Sequence, residues 1–250
     1  MQNTLSIKIK DLVKIYDLGK FNFNFFFSGL KSNNSKEKLI VLDNVNIEIY
    51  QGEKIGIIGH NGAGKSTLLK IISRITFPTS GYVEIHGNVA SVLEAGIGFH
   101  HELSGIENIY LNGALLGMTR GDIQKKISQI IEFSELDKYI KTPLKRYSTG
   151  MLIKLAFSIC VFLKSDILIL DEILAVVDQY FREKSINEII KSVNKENRTL
   201  LFVSHQLENI EQLCDKVILL EKGKVTMFDD TKKVLQLYKS KLEKDHKETT

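Results

Sequence analysis

The segment GHNGAGKST, residues 59 to 67, has the composition and spacing of a phosphate-binding loop. It satisfies the pattern G-x-x-x-x-G-K-[ST], with an apolar strand-like run before it and a helical run after it. Glycines let the backbone amides converge on phosphate oxygens, the lysine reaches the β- and γ-phosphates, and the serine hydroxyl is a ligand for Mg²⁺. The predicted phosphate-binding residues are Gly59, Asn61, Gly62, Ala63, Gly64, Lys65, Ser66 and Thr67.

Two acidic residues follow a second apolar run, ILIL, residues 167 to 170. Asp171 is placed to hold Mg²⁺ opposite the loop, and Glu172 to orient and deprotonate an attacking water. A strand that ends in two acids is common by itself, so this prediction depends on the phosphate loop.

A third apolar run, TLLFVSH, ends in His205. A lone histidine at a strand end is usually a surface residue. Because the carboxyl edge of a parallel sheet gathers catalytic groups, we favour contact with the γ-phosphate. Glu172, His205 and Lys65 form the predicted catalytic set.

The segment YSTGM, residues 147 to 151, precedes the apolar run LIKLAFSICVFL. Ser148 is suited to cap the first turn of a helix. An ordinary helix cap is one interpretation. With the permissive Gly150 and the positive end of the helix, the same segment is also suited to bind an anion.

The composition is that of a globular protein of one large domain, or of a core with an inserted subdomain. The net charge of +4 favours a solvated surface over a nucleic-acid footprint, so no nucleic-acid partner is predicted. Cys160 and Cys214 are predicted to be reduced thiols. The longest apolar stretch is far shorter than the ~20 residues that span a bilayer, so any membrane role would require a partner.

With GHNGAGKST, YSTGM, ILILDE and SH in this order, residues 5 to 225 resemble the nucleotide-binding subunit of an ABC transporter. The resemblance implies an α/β P-loop NTPase core of ABC type. It has a parallel sheet, an antiparallel β-subdomain near the N-terminus and an inserted helical subdomain at about residues 95 to 155. On this basis residues 1 to 225 are the ATPase domain, and residues 226 to 250 are predicted to be a charged helical tail.

The resemblance also implies a partner for YSTGM. In the family, the motif at this place binds the γ-phosphate of ATP held by a second subunit, so the chain is expected to act as a head-to-tail homodimer. Ser148 and Gly150 would be the contact residues. Thr149 and Met151 depart from the usual glycine and glutamine of LSGGQ, so weaker pairing is expected.

Three further roles follow only from the resemblance. Tyr16 would stack on adenine, with packing inside the β-subdomain as the alternative. Asp178 matches the residue that communicates across the dimer. Glu94 stands at or near the glutamine that senses the γ-phosphate and the membrane partner, where it could still meet Mg²⁺. His100 and His101 are the alternatives to it.

The run LEAGIGFHHELSGIENIYLNGALLGM is similar to the ATP-binding subunits of exporters for bacterial O-antigen, capsule or teichoic acid. This similarity implies an ATPase at the cytoplasmic face of the cytoplasmic (inner) membrane. It would be docked to a separate permease and would power export of a lipid-linked polysaccharide. The alternatives are an exporter of another substrate, an ABC-type ATPase acting on ribosomes or DNA, and a P-loop kinase or GTPase.

Two other stretches allow more than one interpretation. The phenylalanine-rich residues 21 to 27 are either a strand packed on the β-subdomain or an apolar patch that meets the membrane or its partner. The C-terminal helix has Val234, Leu235, Tyr238 and Leu242 on one face, which packs either on its own core or on a second subunit.

Overall fold

The computed structural model describes residues 4–18, 37–92, 98–171 and 177–248. Its strands and helices alternate along most of the chain. The strands are β1 Leu5–Leu18, β2 Glu37–Tyr50, β3 Lys54–Ile58, β4 Ser80–Ile85, β5 Val89–Val92, β6 Ile167–Leu170, β7 Thr199–Val203, β8 Lys216–Glu221 and β9 Lys224–Asp230. The helices are α1 Lys65–Ile72, α2 Gly105–Leu115, α3 Arg120–Ser134, α4 Thr149–Phe162, α5 Gln179–Glu196, α6 Leu207–Leu213 and α7 Thr231–Glu248, with a 3₁₀ turn at Leu144–Arg146.

The central sheet has six strands in the order β5-β6-β7-β3-β8-β9. All its pairings are parallel except β8 with β9, so β9 is an antiparallel edge strand. The inner strands are buried on both faces, as in β6, where all four residues are buried. Their continuous apolar runs are typical of parallel strands covered on both sides. The predicted parallel α/β core is therefore confirmed.

A second sheet is antiparallel and has the strand order β2-β1-β4. The long β1 pairs with β2 along most of its length and with β4 over its first half. Ile7, Ile9, Ile47 and Ile49 alternate with outward residues and pack into the same core as one face of the central sheet. This is the predicted antiparallel subdomain, and it packs together with α1 on one face of the central sheet.

Helices α2, α3 and α4 pack around a separate apolar cluster. Its centre includes Ile109, Ile130, Leu155 and Ile159, all of which are almost completely buried. Helix α4 also packs into the core of the central sheet through Phe157. Because α4 shares side chains with both clusters, it connects the helical layer to the sheet.

The C-terminal helical tail is shorter than the sequence predicted. Residues 226 to 230 continue strand β9, and helix α7 begins only at Thr231. The predicted apolar face of α7 packs on the core of its own chain, since Val234, Leu235 and Tyr238 are all buried there. Across the described ranges, we find no helix with the length and apolar content needed to cross a membrane.

Candidate functional site

The three sequence motifs meet at one edge of the central sheet. Strands β6, β7 and β3 are neighbours and run parallel, so the residues that follow them lie side by side. They border a cleft of about 350 Å³. Its lining residues are Leu39, Val41, Asn61, Gly62, Gly64, Lys65, Ser66, Thr67, Asp171, Val203 and His205.

The loop between β3 and α1 has a positive φ at three glycines, Gly59, Gly62 and Gly64, and at the first and third a side chain would also strike a neighbouring backbone. Gly59 has φ 150°, and a Cβ there would lie 2.1 Å from the carbonyl oxygen of Leu220. Gly64, at φ 104°, precedes the first residue of α1, and its Cβ would lie 2.7 Å from the carbonyl oxygen of Val41. The glycines of the motif therefore serve close backbone approach, and they leave the amino end of α1 open to the cleft.

Lys65 is buried, and its ammonium group lies under the loop. The Nζ atom donates hydrogen bonds to the carbonyl oxygens of Gly59, at 2.7 Å, and His60, at 3.0 Å. The amide of Ala63 donates to the same His60 oxygen at 3.1 Å. The carbonyl of His60 thus joins the turn of the loop to its lysine, which is within reach of phosphates bound in the cleft.

Ser66 and Asp171 provide a hydroxyl and a carboxylate on opposite sides of the cleft floor. The Ser66 hydroxyl donates to the Asp171 carboxylate at 3.3 Å. These are oxygen ligands of the kind that Mg²⁺ prefers, and Mg²⁺ is normally held by one or two protein groups together with substrate phosphates. Within the described part of the chain no cluster of three or more His, Cys, Asp or Glu side chains could hold a metal alone. The pair therefore fits a metal shared with a nucleotide.

His205 lies in the cleft, whereas Tyr16 lies beside its entrance. His205 lines it, two residues beyond the end of β7. Tyr16 is 39% exposed and pairs across the antiparallel sheet with Leu39, which lines the cleft. Directly paired residues share a face of the sheet, so the Tyr16 ring lies beside the cleft entrance. The ammonium group of Lys14 sits 4.8 Å from the centre of that ring.

YSTGM forms the amino end of helix α4, as the sequence predicts. Ser148 is the N-cap, and its hydroxyl accepts a hydrogen bond from the Met151 amide at 3.2 Å. Ser148 and Thr149 are exposed, and beside the Cα of Gly150 there is open space apart from the Ser148 hydroxyl at 4.0 Å. None of these residues is among the described residues that line the cleft. The end of α4 is thus accessible to a group from outside the cleft.

Asp178 is the N-cap of helix α5, and its carboxylate accepts from the Phe181 amide at 2.8 Å. Its other oxygen lies 2.9 Å from the Nζ atom of Lys154 in α4. The Phe181 amide and then Lys154 hold the pKa of Asp178 below its ordinary value. Helix α4, which begins at YSTGM, is therefore tied directly to the start of α5.

Lys154, which the sequence motifs do not include, is the centre of a group of ion pairs between the helices. Its ammonium group also pairs with Glu135 at 2.8 Å, and Glu135 pairs with Lys184 of α5 at 3.2 Å. Burial alone would lower the pKa of Lys154, but the bonds to Glu135 and Asp178 raise it. A single charge inside the apolar run LIKLAFSICVFL was a usable signal, because a charge on a packed helix face requires partners.

Asn108 is a second missed residue. It is completely buried in α2. Its carbonyl oxygen accepts from the His100 amide, and its amide group donates to the carbonyls of His100, Leu103 and Ser104. One side chain therefore fixes the loop before α2. Four hydrogen bonds from one amide cannot be foreseen from a sequence, since any Asn near a helix start could instead face solvent.

Two predicted site residues, Glu94 and Glu172, lie outside the described residues, as does the phenylalanine-rich stretch. Their roles therefore stay predictions from the sequence. His100 and His101, the alternatives to Glu94, are exposed beside the loop that Asn108 holds.

A glycine-rich loop between a parallel strand and a helix, facing an aspartate that follows another strand of the same sheet, defines a P-loop nucleotide-binding protein. The family model described as "ABC transporter" matches residues 42–175. The chain belongs to the ABC transporter family and is an ATPase of that family.

Two curated relatives are similar over most of this chain. It is 44% identical to the O-antigen export system ATP-binding protein RfbB of Klebsiella pneumoniae, with 81% of this chain and 82% of the relative covered. It is 41% identical to the teichoic acids export ATP-binding protein TagH of Enterococcus faecalis, with 96% of this chain covered. The chain spans 54% of that second relative's length.

Solved structures show the same fold at lower identity. The dimeric, post-hydrolysis structure of the ATP-binding cassette MJ0796 with ADP and Pi superposes with a TM-score of 0.74 at 22% identity, covering 90% of this chain and 98% of that one. An ATP-binding subunit of an ABC transporter gives a TM-score of 0.76 at 20% identity, with 93% of each chain covered.

Proposed function

We propose that this chain is the ATP-binding and ATP-hydrolysing subunit that powers export of a lipid-linked polysaccharide or related polymer across the cytoplasmic membrane. The observation that carries the catalytic part is the pairing of Ser66 with Asp171 at 3.3 Å beside the buried Lys65, at the carboxyl edge of three parallel strands. The similarity to O-antigen and teichoic acid export ATP-binding proteins supports the cargo.

The loop residues from Gly59 to Thr67 would surround the phosphates of ATP with backbone amides. Lys65 would exchange its two carbonyl partners for phosphate oxygens, which carry more charge. Ser66 and Asp171 would hold Mg²⁺ with the phosphates, and Glu94 is a further candidate ligand. Bound Mg²⁺ would neutralise charge on the phosphates, as in other P-loop enzymes.

Two groups would act on the attacking water and the γ-phosphate. Glu172 follows Asp171 directly and would accept the proton of the water. His205 lines the cleft and would contact the γ-phosphate. Tyr16, beside Leu39 at the entrance, would stack on the adenine ring.

The test of this assignment is Glu172→Gln, which keeps size and hydrogen bonding while removing the base. ATP should still bind, and turnover should fall by roughly 10² to 10⁴, the usual contribution of a general base. ATP should then also hold the chain as a dimer, detectable by gel filtration. Hydrolysis at the wild-type rate would refute the role of Glu172.

The accessible end of α4 would bind ATP carried by a second copy of the chain. Ser148, Gly150 and the amides of the first turn would meet the γ-phosphate of the partner's nucleotide, in a head-to-tail homodimer. Asp178 would carry the state of that contact into α5, because it joins Lys154 of α4 to the first turn of α5.

A mixing experiment tests the homodimer. Gly150→Asp should leave ATP binding intact but prevent dimerisation and hydrolysis, since a carboxylate would face a phosphate. Lys65→Ala should lose ATP binding. A mixture of the two variants would contain one intact composite site per heterodimer and should regain hydrolysis. A mixture no more active than either variant alone would contradict the shared site.

Contact with a membrane-spanning permease would involve the groove beside residues 94 to 102. The end of this loop is joined to the segment before YSTGM: Glu102 pairs with Lys145 at 2.6 Å, and the Lys145 amide donates to the His101 carbonyl at 2.9 Å. Movement of the loop would therefore reach α4. Glu102→Ala should reduce export more than ATP hydrolysis, whereas Asp122→Ala, which breaks an exposed ion pair with Lys125, should leave both unchanged.

The cargo is tested in cells. A deletion should leave lipid-linked polysaccharide on the cytoplasmic side and deplete it from the surface, and the Lys65→Ala gene should not restore export. Normal surface glycan in a deletion strain without a second copy would refute polysaccharide export and leave the ATPase assignment standing. That result would favour one of the alternatives, which are export of another substrate and action on ribosomes or DNA.

A further inference from the structure

Helix α7 packs against the part of the central sheet that supports the P-loop. Its buried residues Val234, Leu235 and Tyr238 belong to the same apolar cluster as Val217 and Leu219 of β8. The end of β8 in turn lies against the loop, since the Leu220 carbonyl is the atom that a Cβ on Gly59 would strike. The C-terminal helix and the phosphate-binding loop are therefore neighbours.

The two are in direct contact through a pair of rings. The ring of Tyr238 in α7 and the imidazole of His60 in the P-loop have centroids 5.8 Å apart, with their planes at 58°. This distance and tilt are within the range of favourable aromatic pairs. Tyr238 is 8% exposed, whereas His60 is exposed. The buried member of the pair thus belongs to the helix, and the exposed member belongs to the loop.

The carbonyl of His60 accepts two hydrogen bonds from within the loop and the start of α1. Its oxygen accepts from the Ala63 amide and from the Lys65 ammonium group. A contact that fixes the side chain of His60 therefore restrains both the turn and the resting place of the lysine.

A second connection between α7 and the loop runs through the β8–β9 turn. Lys241 of α7 pairs with both carboxylate oxygens of Glu221, at 2.8 and 2.6 Å. Two residues on, the Gly223 amide donates to the Ala63 carbonyl at 3.1 Å. The loop is thus held by α7 directly at His60 and indirectly at Ala63.

We propose that Tyr238 is a positioning residue for nucleotide binding, which holds the P-loop in its phosphate-binding shape through the ring of His60. This inference rests on the proposed binding of ATP at the P-loop. Helix α7 then influences the ATP affinity of the cleft through this contact, although none of the described residues that line the cleft belongs to it. A loop held in the binding-competent shape binds more tightly, because the apparent dissociation constant rises as the competent fraction falls.

The test is the equilibrium affinity of the purified full chain for a fluorescent ATP analogue. Tyr238→Leu keeps an apolar side chain but removes the ring, and it should weaken binding by roughly two- to tenfold, the range expected for one aromatic pair. Tyr238→Phe keeps the ring and should bind as the wild type does. His60→Ala should weaken binding to the same extent as Tyr238→Leu, and the double variant no further.

Leu235→Ala is the matched control, because Leu235 is buried on the same helix. It should lower the melting temperature and leave the affinity unchanged. Equal affinity losses in Leu235→Ala and Tyr238→Leu would overturn the proposal, as would multiplied losses in the double variant. If Tyr238→Leu does not fold, His60→Ala and His60→Phe decide. The alanine variant loses the ring contact and should bind the analogue roughly two- to tenfold more weakly, whereas the phenylalanine variant keeps a ring and should bind as the wild type does; equal affinities of the two variants would overturn the proposal. Lys65→Ala separates the two hypotheses: full ATP binding in that variant would refute the P-loop site itself.

Discussion

Arg198 is the largest fully buried side chain among the residues that the structure describes, and its removal should destabilise the protein strongly. It is 1% exposed, just after α5, and its guanidinium group reaches the carboxyl end of α4. It donates to the carbonyls of Cys160 and Val161 at 2.9 Å each, to the Ser192 hydroxyl at 2.8 Å, and to the Ser165 hydroxyl. Burial lowers the pKa of Arg198 from its usual range, so these bonds offset a desolvation cost.

Arg198→Ala would leave the buried Cys160 carbonyl without its donor, at about 1 to 3 kcal/mol, and would leave the Val161 carbonyl with the Ser192 hydroxyl at 3.3 Å as its remaining donor. Part of this cost is offset, because the variant no longer has to bury the charged guanidinium group. We expect the free energy of unfolding to fall by about 2 to 4 kcal/mol, which corresponds to roughly 5 to 15 °C in melting temperature for a domain of this size. The stability of Arg198→Lys should lie between those of Arg198→Ala and the wild type, because one ammonium group cannot reproduce the hydrogen bonds of the forked guanidinium group.

The assay is urea unfolding followed by circular dichroism, with Lys195→Ala as the control. Lys195 is exposed three residues earlier, so its removal should change stability by less than about 0.5 kcal/mol. If Arg198→Ala is as stable as Lys195→Ala, the carbonyls of α4 are satisfied in some other way and the reasoning fails.

Three further outcomes are expected. Gly59→Ala should lose ATP binding and stability together, because its Cβ would lie 2.1 Å from a backbone oxygen of β8; an active, stable variant would refute the close approach. Lys154→Met should reduce the loss of stability in acid. Burial would raise the pKa of Glu135, but the bonds from Lys154 and Lys184 lower it, so its stabilisation is present above the ordinary value of 4.5 and is lost as the pH falls through the lowered pKa. The difference in melting temperature between the wild type and the variant should therefore persist down to pH 4.5 and shrink only as the pH falls below it, and a difference that stays constant below pH 4.5 would contradict this. Burial raises the pKa of Cys160 to about 12 and raises that of Cys214 further, so iodoacetamide at pH 8 should label both thiols only after unfolding.

The strands that carry the site were predictable from the sequence, because their apolar runs are short and continuous. Each of the runs 55–58, 167–170 and 199–203 became a buried parallel strand. Parallel strands bring their carboxyl ends to one edge, so the meeting of Lys65, Asp171 and His205 followed without knowledge of the strand order. The helix cap at Ser148 was predictable for a similar reason, since capping depends on local sequence alone.

The contacts between helices were not predictable in this way. Lys154 meets Asp178, and Tyr238 meets His60, across long stretches of chain whose packing angles no local pattern specifies. The start of α7 was also misplaced. Residues 226 to 230 form an antiparallel edge strand with β8, which precedes them across the turn at Lys222 and Gly223, and this pairing outweighed the charged composition from which a tail was inferred.

Helix α4 is fixed along its length and left accessible at the end predicted to bind an anion. Arg198 holds its carboxyl end to the segment after α5, and Lys154 holds its middle to the N-cap of α5. Both ends of α5 are therefore tied to α4, so the two helices should move as one body. A phosphate that binds at Ser148 would then shift Asp178 together with both helices, and α4 and α5 would keep their positions relative to each other. The remaining movement lies between this pair and the P-loop, which α7 contacts through His60.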